Sequence, residues 1–94
     1  MVLVVEVIHI KGECPVYKVG DKIFLIDGYK LESKGPICMH SLASIMPYYN
    51  ALSQGVEPEV LGLGKGKKAY LQCLDPEGWT GGGTVTFAVY RRDE

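Results

Sequence analysis

Four side chains in this sequence have the chemistry of metal ligands or nucleophiles: the thiols of Cys14, Cys38 and Cys73 and the imidazole of His40. Three thiols and one imidazole are a legitimate ligand set for tetrahedral zinc. Each of the four is predicted to lie at the end of a secondary-structure element, although no C-x-x-C pair is present. A zinc site formed by Cys14, Cys38, His40 and Cys73 is therefore one hypothesis.

The same residues support two other interpretations. Cys38 is predicted to lie at the start of a helix, where the helix dipole stabilises a thiolate, and His40 would act as a base or cationic partner. Cys38 and His40 are thus catalytic candidates, provided that the chain is extended at Cys38, because residues i and i+2 of a helix point about 200° apart. Cys14, before Pro15 in a loop, is a second reactive candidate, and a resolving thiol elsewhere would form a redox pair. In the third interpretation, Cys14 and Cys73 are small buried hydrophobic residues and His40 is a surface or capping residue.

A second candidate site is the glycine-rich segment GWTGGG, residues 78–83. Three consecutive glycines expose backbone N–H groups and let a ligand approach closely, and the neighbouring tryptophan offers an aromatic face. A small molecule or an anion is the expected ligand, and the predicted binding residues are Trp79, Thr80, Gly81, Gly82 and Gly83. The alternative is a tight turn in which Trp79 caps the edge of the core.

The element expected to position the helix-entrance residues is the stretch from Pro36 to Val56. Its apolar residues recur at the spacing of one helix face: Met39, Leu42, Ile45, Met46, Tyr49 and Leu52. Gly55 suits the left-handed position after a helix, with Val56 folding back onto the last turn. Pro47 removes an internal hydrogen bond, which predicts a kinked helix. Two short helices, with Ser44 as the second N-cap, are the alternative.

Four or five strands are predicted around this helix: Val2–Ile10, Lys22–Ile26, a short return over Tyr29–Leu31 after the hairpin signal Asp27-Gly28, Lys68–Leu74 and Thr84–Arg91. The first is apolar on both faces, which is typical of a central strand. The segment LGLGKGKK lacks the strand and helix context of a nucleotide-binding loop and is predicted to be a flexible turn. The predicted fold is α+β, a single domain over residues 1–94. It has a small antiparallel sheet of four to five strands and one kinked helix, in the order ββ(β)-α-ββ.

The charge balance limits the classes of partner. Ten basic and eleven acidic residues give a formal net charge of -1, which argues against a general polyanion binder, so nucleic acid is not expected as a partner. The start, MVLVVEVIHI, lacks a basic n-region and a cleavage site and is shorter than the ~20 residues of a membrane span, so neither a signal peptide nor a membrane partner is expected. Three cysteines without an export signal predict reduced thiols in the cytoplasm.

Four motifs resemble those of a known family: CPVYKVGD at Cys14–Asp21, CMH at Cys38–His40 followed by LxxxxPY ending at Tyr48, QCLDP at Gln72–Pro76, and TGGGTVTF at Thr80–Phe87. In this order they are similar to the pattern of a small prokaryotic family of uncharacterised proteins, over nearly the whole chain. The resemblance implies no particular activity, substrate or cofactor. It implies that the motif cysteines and the glycine run form one shared feature.

The leading hypothesis is a small cytoplasmic domain with a Cys/His cluster that binds a metal or reacts through a thiol. It predicts that Cys14, Cys38, His40 and Cys73 lie together on one side of the sheet, near the glycine run. The competing hypothesis is a non-catalytic binding or homodimerisation module, because the strand Thr84–Arg91 is predicted to lie at a sheet edge with unpaired backbone groups.

Overall fold

The computed structural model describes residues 1–92, which form one six-stranded antiparallel sheet with a long helix packed on one face. The elements, in chain order, are β1 (Val2–Gly12), β2 (Lys22–Ile26), β3 (Lys30–Ser33), α1 (Met39–Ser53), β4 (Gly64–Lys65), β5 (Lys68–Gln72), α2 (Glu77–Thr80) and β6 (Gly83–Arg92). The order across the sheet is β3-β2-β1-β6-β5-β4. The predicted α+β class is confirmed, and the last two residues of the predicted 1–94 domain lie outside the described part.

The strand beyond the predicted four or five is β4, which comes from the glycine-lysine segment predicted to be a flexible turn. Gly64 and Lys65 pair with Ala69 and Lys68, so that prediction is wrong. The hairpin closes because Gly66 adopts a φ of +61°, which favours glycine. A side chain at Gly64 would collide with the Lys68 carbonyl oxygen, so glycine is also needed for the pairing itself.

The two central strands are β1 and β6. The central position predicted for Val2–Ile10 is confirmed, because β1 pairs with β2 on one side and with β6 on the other. The edge position predicted for Thr84–Arg91 is wrong, because β6 pairs with β1 along its length and with β5 on its other side. A second copy cannot add a strand to β6, because the backbone groups of β6 already pair with β1 and β5.

Two chain reversals form where short sequence motifs predicted them. Asp27 and Gly28 both have positive φ, 57° and 81°, and the Tyr29 N–H donates to the Ile26 carbonyl at 3.2 Å to close the β2–β3 hairpin. At the end of α1, Gly55 has a φ of +93°, and the N–H groups of Gly55 and Val56 donate to carbonyls of the last turn.

The helix α1 is shorter than the predicted Pro36–Val56 and begins at Met39, after an extended Cys38. It continues through Pro47 as one helix, so the alternative with a second start at Ser44 is wrong. A kink at Pro47 stays a prediction. No helix within residues 1–92 is long and apolar enough to cross a membrane.

The buried face of α1 differs from the predicted apolar face. Its buried residues are Ser41, Ile45, Leu52 and Ser53, whereas Met39 and Met46 are exposed. The physical reason is a buried hydrogen bond of 2.7 Å between the Ser41 and Tyr17 hydroxyls, which turns the serine inward at the start of the helix.

The core lies on the helix side of the sheet, where alternate residues of the central strands pack against α1. Its members include Leu3, Val5, Val7, Val85, Phe87 and Val89 from the sheet, Ile45 and Leu52 from α1, and Tyr17 and Cys73 from the connecting segments. Cys14 and Cys38 pack against this core from its margin. All three cysteines therefore lie on the helix side of the sheet.

Candidate functional site

Cys38 lies immediately before α1, in extended conformation with φ -76° and ψ 131°. The Leu42 N–H donates to the Cys38 carbonyl at 3.0 Å, which makes Cys38 the N-cap. Among the described residues, no side chain caps the N-terminus of α1, and the first turn contains no acidic residue. The half-buried Cys38 therefore lies at the positive end of a 15-residue helix dipole that no nearby carboxylate in that turn offsets.

A closed ring of hydrogen bonds holds the backbone of Cys38. The Cys38 N–H donates to Tyr17 Oη at 2.8 Å, and Ser41 Oγ donates to the Cys38 carbonyl at 2.8 Å. Because the Ser41 proton is used in that bond, the Tyr17 hydroxyl donates to Ser41 Oγ at 2.7 Å. Ser41 is 0% exposed and Tyr17 6% exposed, so the ring is sealed from water. It fixes both polar backbone groups of Cys38.

The phenol of Tyr17 stays protonated in this environment. Burial raises its pKa above the ordinary value of 10.0, the hydrogen bonds with Ser41 and with the Cys38 N–H lower it, and the nearby Cys38 and Cys14 raise it again. The ring also packs edge-on against Phe87, with 5.8 Å between centroids. Neither Tyr17 nor Ser41 was among the predicted site residues, although Tyr17 stands in the motif CPVYKVGD and Ser41 follows Cys38 by one helical turn.

Cys14 lies in the tight turn that places Tyr17 in the ring of hydrogen bonds around Cys38. Its Sγ accepts the N–H groups of Val16 at 3.4 Å and of Tyr17 at 3.3 Å, and Pro15 fixes φ between them. The segment around Cys14 therefore supports Cys38 through Tyr17 and its hydroxyl.

Cys73 lies in the core, directly after β5. Its Sγ accepts the Val85 N–H at 3.3 Å and donates to the Gly83 carbonyl at 3.5 Å. The interpretation of Cys73 as a small buried residue is confirmed. All three cysteines are free thiols.

The predicted zinc ligands do not come together as a ligand group. Within residues 1–92, no three or more His, Cys, Asp or Glu side chains are arranged to hold a metal ion. Cys14 and Cys73 direct their sulfurs at backbone N–H groups. His40 is an exposed residue of the first turn of α1, and Cys38 precedes the helix in extended conformation, which is the condition under which the two were expected to share a site.

The glycine run is closed by its own hydrogen bonds rather than open to an anion. The N–H of Gly81 donates to the Glu77 carbonyl at 3.0 Å, that of Gly82 to Thr80 Oγ1 at 3.1 Å, and that of Gly83 to Asp75 Oδ2 at 3.4 Å. The Thr80 hydroxyl in turn donates to Asp75 Oδ1. The three predicted donors therefore have partners within the loop.

Trp79 is 92% exposed on α2 and does not cap the core, which corrects the alternative interpretation of this segment. Its ring is the part of the predicted glycine-rich site that remains available to a ligand.

The glycines instead permit a close approach between two loops. A Cβ atom at Gly83 would lie 2.7 Å from the carbonyl carbon and oxygen of Glu13 and 2.9 Å from the Cys14 nitrogen. Since the Gly83 carbonyl also accepts from Cys73, Gly83 lies between these two cysteines. The glycine run, Cys14 and Cys73 are thus parts of one packed unit.

The chain was compared with known proteins, and no family model, curated protein or solved structure matches it. The functional interpretation of the site therefore depends on its geometry.

Proposed function

We propose that this chain is a cytoplasmic thiol-reactive domain in which Cys38 is the nucleophile. The observation that carries the proposal is the position of Cys38 as the N-cap of α1, with no side-chain cap among the described residues and no acid in the first turn. The free N–H groups of a first helical turn and the helix dipole favour negative charge at this position. The thiolate is the reactive form of cysteine.

The environments of the three thiols support the choice of Cys38. The sulfurs of Cys14 and Cys73 accept backbone N–H groups, and Cys73 is also buried. Cys38 and Cys14 are both half-buried, and within the described part of the chain the hydrogen bonds of Cys38 come from its backbone. Of these two half-buried cysteines, Cys38 is the one at a helix N-terminus.

The hydrogen-bond ring contributes orientation. It fixes the backbone of Cys38 while leaving the side chain outside the ring, so the Cα–Cβ bond that carries the sulfur has a defined direction. The substrate class that fits is a small electrophile, whose reacting atom forms a bond with Sγ while its leaving group departs. The exposed His40 is the candidate for exchanging protons with solvent.

Alkylation kinetics test the proposal. Native protein is treated with iodoacetamide at pH 7 and quenched at intervals, and the modified fraction of each cysteine is measured by peptide mass spectrometry. We expect Cys38 to react fastest, and faster in the native protein than in urea, where the three cysteines lose their structural differences.

The Cys38→Ser variant is the control, since it should remove the fast phase and leave the slow modification of Cys14 and Cys73. A native Cys38 that reacts no faster than in urea, or more slowly than Cys14, would contradict the proposal.

A further inference from the structure

The sheet face opposite α1 contacts residues 75–77 at one end, because Thr84 Oγ1 accepts the Glu77 N–H at 3.2 Å and donates to the Asp75 carbonyl at 2.6 Å. The rest of this face is formed by side chains of the strands. The connecting segments send their apolar residues to the helix side, where Val16, Ile37, Leu61 and Leu63 pack against the core. Val2, Val4 and Ala88 are buried but lie outside that core, because they alternate to the opposite face. We call this second surface the open face.

Strand register defines the members of the open face. One row crosses four strands from Phe24 through Val4 and Tyr90 to Lys68, and the next runs from Lys22 through Glu6 and Ala88 to Tyr70. Outer positions on the same face are Lys11, Lys30, Glu32, Lys65, Thr86 and Arg92.

Three aromatic rings stand on this face, on three different strands. Tyr70 is 46% exposed and diagonal to Tyr90, while Phe24 lies two strands away across Val4. Adjacent strands are about 4.8 Å apart, so the Phe24 and Tyr90 positions are separated by roughly 10 Å. The three rings surround the small buried side chains of Val4 and Ala88.

Cations lie over the faces of two of these rings, which leaves Tyr70 as the exposed ring. The Lys68 ammonium lies 5.1 Å from the Tyr90 centroid, and the Arg92 guanidinium lies 5.1 Å from the Phe24 centroid. The Tyr90 hydroxyl donates to Glu6 Oε1 at 2.8 Å, which orients the ring and engages the central carboxylate of the face.

The open face is positive although the chain is not. Within residues 1–92, it carries six basic residues, Lys11, Lys22, Lys30, Lys65, Lys68 and Arg92, and the carboxylates of Glu6 and Glu32. Lys11 and Lys30 form ion pairs with Glu77 at 3.8 Å and with Asp27 at 3.6 Å. Six positive charges and these four negative charges give the face a formal charge of +2, whereas that of the whole chain is -1. A partner of this face is therefore anionic.

We infer that the open face binds single-stranded nucleic acid, with a base stacked on Tyr70 and phosphates held by Lys22 and Lys68. Exposed aromatic rings on a sheet with interleaved cations are the arrangement that binds single strands without sequence preference. The inference is independent of the thiol proposal. It departs from the expectation drawn from net charge, because the charges are separated by face.

Charge disfavours a second copy as the occupant of this face, since a symmetric contact would place +2 against +2. An acidic peptide would satisfy the lysines but offers no planar group for each ring. A single strand supplies both a phosphate and a base at every residue, so it matches the two features together.

Fluorescence anisotropy with labelled eight-residue oligouridylate and oligothymidylate tests the inference, with labelled oligoglutamate as the acidic competitor. We expect the oligonucleotides to bind more tightly than oligoglutamate, and log K to fall with log salt by about 0.7 per phosphate contacted. The Tyr70→Ala variant should bind about tenfold more weakly or worse, because base stacking on one ring is lost.

Two matched variants locate the site. Trp79→Ala removes an exposed ring elsewhere, and Lys34→Glu reverses a charge in the loop after β3. Both should bind like the unmodified protein, whereas Lys68→Glu should bind severalfold more weakly. Circular dichroism confirms that each variant is folded. Cys38→Ser should also bind normally, which separates this inference from the thiol proposal.

Three results would overturn the inference: no binding of either oligonucleotide at low salt, binding of oligoglutamate as tight as that of the oligonucleotides, or unchanged binding by folded Tyr70→Ala. Loss of binding in Trp79→Ala alone would likewise place the site elsewhere and remove the open face from it.

Discussion

Tyr17 is the residue through which distant parts of the site are joined. Its N–H contacts the sulfur of Cys14, its hydroxyl accepts from Cys38 and donates to Ser41, and its ring packs on Phe87. One side chain therefore connects a turn, the start of a helix and the central strand of the sheet.

Replacing Tyr17 by Phe tests the ring of hydrogen bonds. The aromatic contact with Phe87 is retained, but the Cys38 N–H loses its acceptor inside the protein. We expect the free energy of unfolding, measured by urea denaturation, to fall by about 1–3 kcal/mol, and Cys38 to lose part of its alkylation advantage. Tyr29→Phe, at an exposed turn, should change neither quantity. An unaltered urea midpoint for Tyr17→Phe would contradict a stabilising role of the ring.

The raised pKa of Tyr17 also predicts how stability depends on pH. Burial holds the folded pKa above 10.0, so on raising the pH the unfolded state loses its phenolic proton first. The stabilising contribution is complete below about pH 10 and is lost as the pH rises through the folded pKa. Urea midpoints measured across alkaline pH should fall less steeply for Tyr17→Phe. Tyr90, whose pKa is raised by burial and by Glu6, should behave in the same direction.

The helix α1 ends in a well-formed cap at Gly55, but it contains a proline in its interior, where proline is unfavourable. Pro47 is exposed and lies within the helix, where it has no N–H to donate to the Ala43 carbonyl. We expect Pro47→Ala to stabilise the protein by up to about 3 kcal/mol in thermal or urea unfolding. Met46→Ala, at the adjacent exposed position, is the control and should have little effect. A less stable Pro47→Ala protein would show that the proline has a packing role.

The contact between the glycine run and the loop before β2 is a second element-level feature. Gly83→Ala would place a methyl group 2.7 Å from the Glu13 backbone, so the two loops must separate. We expect a loss of about 1–3 kcal/mol and faster alkylation of Cys14 and Cys73. Gly78→Ala is a matched control, because nothing lies within 4 Å of its added Cβ. Equal stability of the two variants would mean that the close approach is not required.

Over the molecule as a whole, charge is divided between the two sides of the sheet. A protein of net charge -1 is not expected to bind a cation exchanger at pH 7, but its open face carries +2. We expect measurable retention at low salt.

Two double variants of equal net charge test this asymmetry. Lys22→Glu with Lys68→Glu should abolish retention, because both changes lie on the open face. Lys18→Glu with Lys34→Glu should retain it, because both lie in loops. Identical elution of the two double variants would show that net charge alone controls the interaction.

Much of the local structure follows from the sequence because it depends on a few neighbouring residues. The Asp27-Gly28 turn and the Gly55 cap were predictable, since each requires positive φ at residues that tolerate it. The alternation of side chains along β6 and the helical spacing of apolar residues in α1 were also predictable. The hairpin of β4 was not, because Gly64 pairs through close backbone contact and carries no side-chain pattern.

Only the tertiary structure determined the position of β6 in the sheet, the hydrogen-bond partner of Cys38 and the distribution of charge between the two faces. Whether β6 is an edge or a centre depends on partners far along the chain, and the strand pattern is the same in both cases. Tyr17 and Cys38 are 21 residues apart, so their hydrogen bond has no signature in local spacing. The sequence contains a nearly balanced set of charges, but strand register places six of the basic residues on one face. Alternation separates side chains into two sets, and only the packing of the helix determines which set meets solvent.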